Sequence, residues 1–275
     1  MAQNLTEGSV FKNVVFFSIP YFISYFLQTL YGMADLFIIG QFSGVAETTA
    51  VSVGSQVMHM LTVMIVGLAM GATIGIAQAV GANKKDRAAF NIGNTVTLFT
   101  GLSVILTVFL LLAVNSIVSV MSTPEKAVEG TKHYLIVCFA GVPFITAYNI
   151  IASIFRGLGD SKSPMYFIAV ACTVNIVLDY VFIGVFGMGA FGAALGTTLS
   201  QAFSVAVSLY VMMKRDIGVS LKKRDFQIRK PVMARLLKIG IPVALQDGFI
   251  QVSFVVINPE RRERGKKLKD PCTER

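Results

Sequence analysis

Asn175 and Asp179 lie four residues apart inside an apolar run at about 166–186. On a helix that spacing puts both side chains on one face. A second acid, Asp35, sits inside the first apolar run. An ionised carboxylate at the centre of a membrane helix costs at least about 2.5 kcal/mol, and far more by other estimates. Such a side chain needs a partner or a task. Asp and Asn offer oxygen ligands without nitrogen or sulfur, a donor type suited to hard cations. Two carboxylates close together titrate as a pair, so the same oxygens can hold a proton or a metal ion. These residues therefore point to a polar cavity, faced by both acids, that binds and releases a cation.

The elements that must carry them follow from composition. The chain of 275 residues is 54% hydrophobic and only 14% charged, with a mean hydropathy of +0.68. Soluble domains carry about 25% charged residues, so the expected class is all-α and polytopic in a membrane. The net charge of +9 would suggest nucleic acid in a soluble protein, but the bases cluster between apolar runs and read as topology instead. No nucleic-acid partner is expected. The three cysteines, Cys138, Cys172 and Cys272, show no metal or disulfide spacing. No removable signal peptide is expected, because the polar leader at 1–13 runs straight into the first apolar run.

Six apolar runs are long enough to span, at about 14–39, 49–80, 92–119, 134–155, 166–186 and 193–213. Together they predict a six-helix lobe over 1–213. The first run carries Pro20 and then Gln28, Tyr31 and Asp35 at helical spacing, a polar stripe on an apolar helix. Pro20 is tolerated there because neighbouring helices satisfy the freed carbonyl. The second run contains Gly67, Gly71 and Gly75, a small-residue repeat that lets backbones approach closely. In the fourth, Pro143 and Asn149 predict a kink. His59 is read as a packing or interfacial histidine, and Arg156 and Asp160 as organising a polar turn. A basic connection at 214–238 leads to a seventh apolar run at 239–257 and then a basic tail at 258–275, expected to be disordered.

Lysine and arginine counts set the expected orientation. The connections after the second, fourth and sixth runs hold Lys84, Lys85, Arg87, Arg156, Lys162 and the many bases of 214–238, whereas the opposite connections hold Lys126 and Lys132. That asymmetry predicts a cytoplasmic N-terminus in the cell inner (cytoplasmic) membrane. It also leaves the tail's bases on the wrong side if the seventh run spans. The opening Lys12-Asn-Val-Val-Phe-Phe-Ser-Ile-Pro20 is echoed by Arg235-Leu-Leu-Lys-Ile-Gly-Ile-Pro242. The seventh run thus reads as the first helix of a second copy. The expectation is a chain truncated after that helix, ending in a foreign tail.

Three features carry a family resemblance. They are Pro20 with Gly32-Met-Ala-Asp35 and Ile39-Gly40, the turn Arg156-Gly-Leu-Gly-Asp160-Ser-Lys-Ser-Pro164, and Asn175 and Asp179 with Gly192-Ala-Ala-Leu-Gly196-Thr197. Over roughly 10–257 the chain resembles the multidrug and toxic compound extrusion (MATE) family. That resemblance implies the N-terminal six-helix lobe, plus one further helix, of a transporter with two pseudo-symmetric lobes across a cleft. It implies export of cationic drugs or metabolites in exchange for sodium or protons. The implied cation ligands are Asp35, Asn175, Asp179 and Thr197, with Gln28 and Tyr31 lining the substrate chamber. No cofactor is implied beyond the coupling sodium ion or proton, and the implied partners are small organic cations, membrane lipid and a missing second lobe.

Two other functions stay open at this point. A lipid-linked oligosaccharide flippase of the same superfamily would share the fold but needs a basic cleft for pyrophosphate, and no Arg or Lys falls within the six runs. A seven-helix receptor or retinal protein places its N-terminus outside, against the charge asymmetry, and Lys238 lies only at the edge of the seventh run. An enzyme is not expected, since no nucleophile–base pair, metal cluster or phosphate loop is present.

Overall fold

The computed structural model describes residues 8–215, 218, 219 and 221–269, with side chains as far as 251 and at 253. Among the described residues every regular element is helical: α1 (Val10–Phe42), α2 (Val45–Gly81), α3 (Lys85–Val120), α4 (Glu125–Ala140), α5 (Val142–Gly157), α6 (Lys162–Asp179), α7 (Gly189–Lys214) and α8 (Lys230–Lys269). Five helices are long and apolar enough to cross a membrane, and the pair α4–α5, bent by 47°, makes six when counted as one span. This is the expected multi-pass architecture. Large apolar side chains on α1, among them Phe11, Phe22 and Phe37, are more than two thirds exposed. Lipid is the solvent such a face requires.

The break between α4 and α5 falls at Gly141, and Pro143 stands in the first turn of α5. Proline fits that position because the first amides of a helix have no intrahelical acceptor. The expected kink is therefore present, and α4 begins at Glu125, well before residue 134. The other helices also overrun their apolar runs, since polar residues at the membrane surface extend a helix that hydropathy does not register. α6 stops at Asp179 and continues as a π-helical turn, Tyr180–Val185.

Two expectations about the C-terminal third are corrected. The basic connection does not extend to 238, because α8 starts at Lys230 with Pro231 in its first turn, followed by good helix formers. Nor does the tail leave the helix at 258. α8 continues to Lys269 through Glu260, Arg261, Arg262 and Glu263, which have high helix propensity. The rest of the tail, 270–275, lies outside the described residues.

The ends of the connection are held on α3. Asn94 donates from Nδ2 to Asp225 O (3.3 Å) and accepts from Arg229 N at Oδ1 (2.8 Å). Thr97 donates to Phe226 O at 2.9 Å, and the Arg229 guanidinium lies 3.6 Å from the Phe90 ring centroid. α8 itself packs on α2 through the glycine repeat. A Cβ on Gly67 would stand 2.7 Å from Ala244 Cα, and one on Gly71 would collide with Leu236 O. Close backbone approach of this kind replaces the hydrophobic driving force that lipid removes.

Candidate functional site

α1, α6 and α7 meet where their polar residues lie. Only Pro20, Asp35, Ile38 and Ile39 of α1 are buried, so the acid is one of very few α1 side chains turned inward. Asp35 is 2% exposed, and Asn175 and Asp179 are fully enclosed. Asp35 lies close to Asp179, Asn175 and Thr197. Thr197 Oγ1 donates to Asp35 Oδ2 at 3.2 Å, and Asn175 Nδ2 donates to Asp179 Oδ2 at 3.3 Å. Tyr31 donates from its hydroxyl to Thr197 O at 3.3 Å and lies 3.2 Å from Ser200 Oγ. The four residues proposed as cation ligands are thus brought together from three helices, with Tyr31 beside them.

Close packing makes this possible. A Cβ on Gly196 would run into the Asp179 carboxylate. Glycine there lets α6 and α7 approach until the acid reaches Asp35. Asp179 is also the last residue before the π-helical turn, a distortion that recurs at functional sites.

The donor chemistry fits a hard cation. Among the described residues, six buried side-chain polar atoms lack a hydrogen-bond partner, and four of them gather here: Asp35 Oδ1, Asn175 Oδ1, Asp179 Oδ1 and Gln201 Oε1. All four are oxygens. An orphaned buried acceptor costs about 1–3 kcal/mol, and a bound proton or cation relieves that cost.

Two cavities adjoin the cluster. A smaller one, about 110 Å³, is lined by Gln28, Tyr31, Asp35, Thr197 and Gln201. Asn175 and Asp179 do not line it. Asp35 forms part of this cavity's wall, whereas Asp179 lies against Gly196 in the tight α6–α7 contact. A larger cavity, about 340 Å³, opens between α1, α2, α5, α6 and α8. Gln28, His59, Thr62, Tyr148, Asn149 and Ile168 line both. Gln28 lines both cavities, whereas Tyr31 lines only the smaller one.

Sequence reasoning left several of these residues unassigned. Gln201 follows Thr197 by one helical turn on α7, the same spacing that singled out Asn175 and Asp179. His59 bridges toward α8, its Nε2 3.4 Å from Gln251 Nε2, and lines both cavities instead of only packing. Asn149 lines both as well. Arg156 lines the larger cavity with its guanidinium 5.4 Å from the Tyr21 ring centroid, while Asp160 does cap the turn, accepting from Lys162 N and Ser163 N at 3.0 Å each. Asp247 on α8, an acid inside the seventh apolar run, also lines the larger cavity.

The MatE family model matches residues 20–181, which include Asp35, Asn175 and Asp179. The chain is 34% identical over 246 residues to the Bacillus subtilis (strain 168) protein named "Probable multidrug resistance protein YpnP", covering 89% of this chain and 55% of that protein. A solved outward-facing multidrug resistance MATE family transporter of the MOP superfamily matches with a TM-score of 0.82 and 32% identity, over 88% of this chain and 54% of that one. A MOP superfamily transporter from Pyrococcus furiosus, described as having a binding pocket of reverse polarity that suggests a different function, matches with a TM-score of 0.81 and 32% identity, over 88% of this chain and 54% of that one. The chain spans about half the length of the curated relatives it matches.

Proposed function

The chain belongs to the MatE family, whose members are transporters and not enzymes, and from that premise we propose that it forms the cation-coupling lobe of a multidrug exporter. The observation that carries this reading is the meeting of Asp35 and Asp179 in one buried cluster with unpartnered oxygens. Asp35, Asn175, Asp179 and Thr197 hold a sodium ion or a proton. The organic substrate, a small cation, occupies the larger cavity, and Gln28 lies on the wall between the two.

Coupling follows from that shared wall. A cation at Asp35 neutralises α1 where it touches α6 and α7. α1 also contains Pro20, whose missing amide leaves the helix one internal hydrogen bond short. Cation entry repacks α1 about that point and reshapes the larger cavity. Linkage makes the effect reciprocal, so bound drug weakens cation binding by the same factor.

The protein lies in the cytoplasmic membrane with its N-terminus inside, following the Lys and Arg asymmetry. A flippase reading is less well supported. The one guanidinium among the described residues lining the larger cavity, Arg156, already donates from Nε to Ala152 O at 3.1 Å and rests on Tyr21, and Asp247 shares the cavity with it.

The test is ethidium binding to the purified chain in lipid nanodiscs across a series of sodium concentrations and pH values. Ethidium affinity should fall as sodium or proton concentration rises, and this dependence should vanish in Asp35→Asn. Ethidium affinity independent of both ions would overturn the reading.

A further inference from the structure

We propose that Asp247 is the anion that anchors the substrate's positive charge, in a subsite distinct from the Asp35–Asp179 cluster. The inference rests on the exporter reading and assigns a residue on α8 to it.

On α8, Val243, Asp247, Ile250 and Gln251 line the larger cavity. They are spaced four, three and one residues apart, so one stripe of the helix faces inward. α1 answers with Tyr21, Ser24, Tyr25 and Gln28 at the same kind of spacing. Asp247 is the only carboxylate among the described residues of this wall. It makes no hydrogen bond or ion pair among the described residues, where the ion pairs are Arg215–Asp160, Arg224–Asp86 and Arg224–Asp225. Arg156, the only guanidinium or ammonium group among the described residues of the wall, is held by Ala152 O and by the Tyr21 ring instead.

A half-buried acid with no partner among the described residues, inside an apolar run and facing a cavity, defaults to a functional role. The cavity's size, about 340 Å³, falls in the range that holds small molecules. Tyr21, Tyr25 and Tyr148 supply aromatic walls, which suit a flat or aryl-substituted body and add attraction to a cation over a ring face. The fitting ligand is a monovalent organic cation with an aromatic body and its charge near Asp247. Asp35 is not on this wall, so drug and coupling ion meet different carboxylates. Gln28 and His59, common to both cavities, stand between them.

The test is equilibrium dialysis of labelled tetraphenylphosphonium with the full 275-residue chain in nanodiscs. Asp247→Asn should weaken binding by roughly tenfold or more, the size of one lost charge-assisted contact, and Asp247→Glu should restore most of it. Because Asn keeps the side chain's shape and Asp247 has no partner among the described residues, Asp247→Asn should melt at the wild-type temperature and keep the wild-type response to sodium and pH. Affinity within twofold of wild type in Asp247→Asn, or no saturable binding by the wild-type chain, would overturn the proposal. Failure of the broader exporter reading would look different: the probe binds through Asp247, and neither sodium nor pH changes its affinity.

Discussion

Thr197 on α7 donates its hydroxyl hydrogen to Oδ2 of Asp35 on α1 at 3.2 Å, linking residues 162 apart in the chain. The other carboxylate oxygen, Oδ1, has no partner among the described residues. Thr197 thus orients the acid and leaves its second oxygen, the one proposed to take the cation, without a partner among the described residues. Thr197→Val removes the donor at nearly constant volume. Cation binding should weaken roughly tenfold, the equivalent of one hydrogen bond to a charged group. Thr197→Ser should retain most of it. Calorimetric titration of sodium or of acid into the three proteins checks the order.

Gly196 faces the Asp179 carboxylate so closely that a methyl group there would displace it. The obstructing atom is the end of a side chain, which can swing away. Gly196→Ala should therefore cost little stability, at most about 1 kcal/mol, while cation binding is lost. A melting curve and a sodium titration on the same sample separate the two effects. Intact binding in Gly196→Ala would mean the carboxylate position is not critical.

Gly71 presents the opposite case. Its added methyl would meet backbone atoms of Leu236 and Gly240, which cannot move without α8. Gly71→Val should loosen α8 from α2 at a cost of about 1–3 kcal/mol, as overpacking does. A short thiol cross-linker between His59→Cys and Gln251→Cys reports the contact, since the two native side chains approach to 3.4 Å. Cross-linking should fall sharply when Gly71→Val is added.

Asn94 holds the connection between α7 and α8 with a donor and an acceptor at once. Asn94→Ala leaves Arg229 N and Asp225 O without that partner. Hydrogen exchange at residues 222–229 should accelerate by roughly tenfold or more, with α3 itself little changed.

These arrangements were unevenly legible in the sequence. Apolar runs announced the spans, since lipid tolerates few alternatives to a helix. Asp35 and Asp179 were legible because an acid inside such a run demands an explanation, Asn175 because it shares a helix face with Asp179, and Thr197 only through the family resemblance; the structure brings the four together. Asp247 carried the same signal in the run at 239–257, yet that run was read only as the start of a second lobe. Helix ends escaped because hydropathy marks the lipid-buried stretch and not the helix that passes beyond it, as at Lys230. The grip of Asn94 on Asp225 and Arg229 had no local signature: it joins residues more than a hundred positions apart. Arg156 looked like a turn residue because it lies one position beyond the apolar run, while its long side chain reaches back along α5 to Tyr21.

Asp35 and Asp179 are proposed to hold the coupling ion together. Proton uptake by the chain in weakly buffered nanodiscs, measured after an acid jump with and without sodium, tests it most directly. Wild type should take up about one proton more than Asp35→Asn or Asp179→Asn, and sodium should suppress that extra uptake or leave it intact according to which ion the site selects. Identical uptake by wild type and both variants, together with identical sodium binding by all three, would contradict the account.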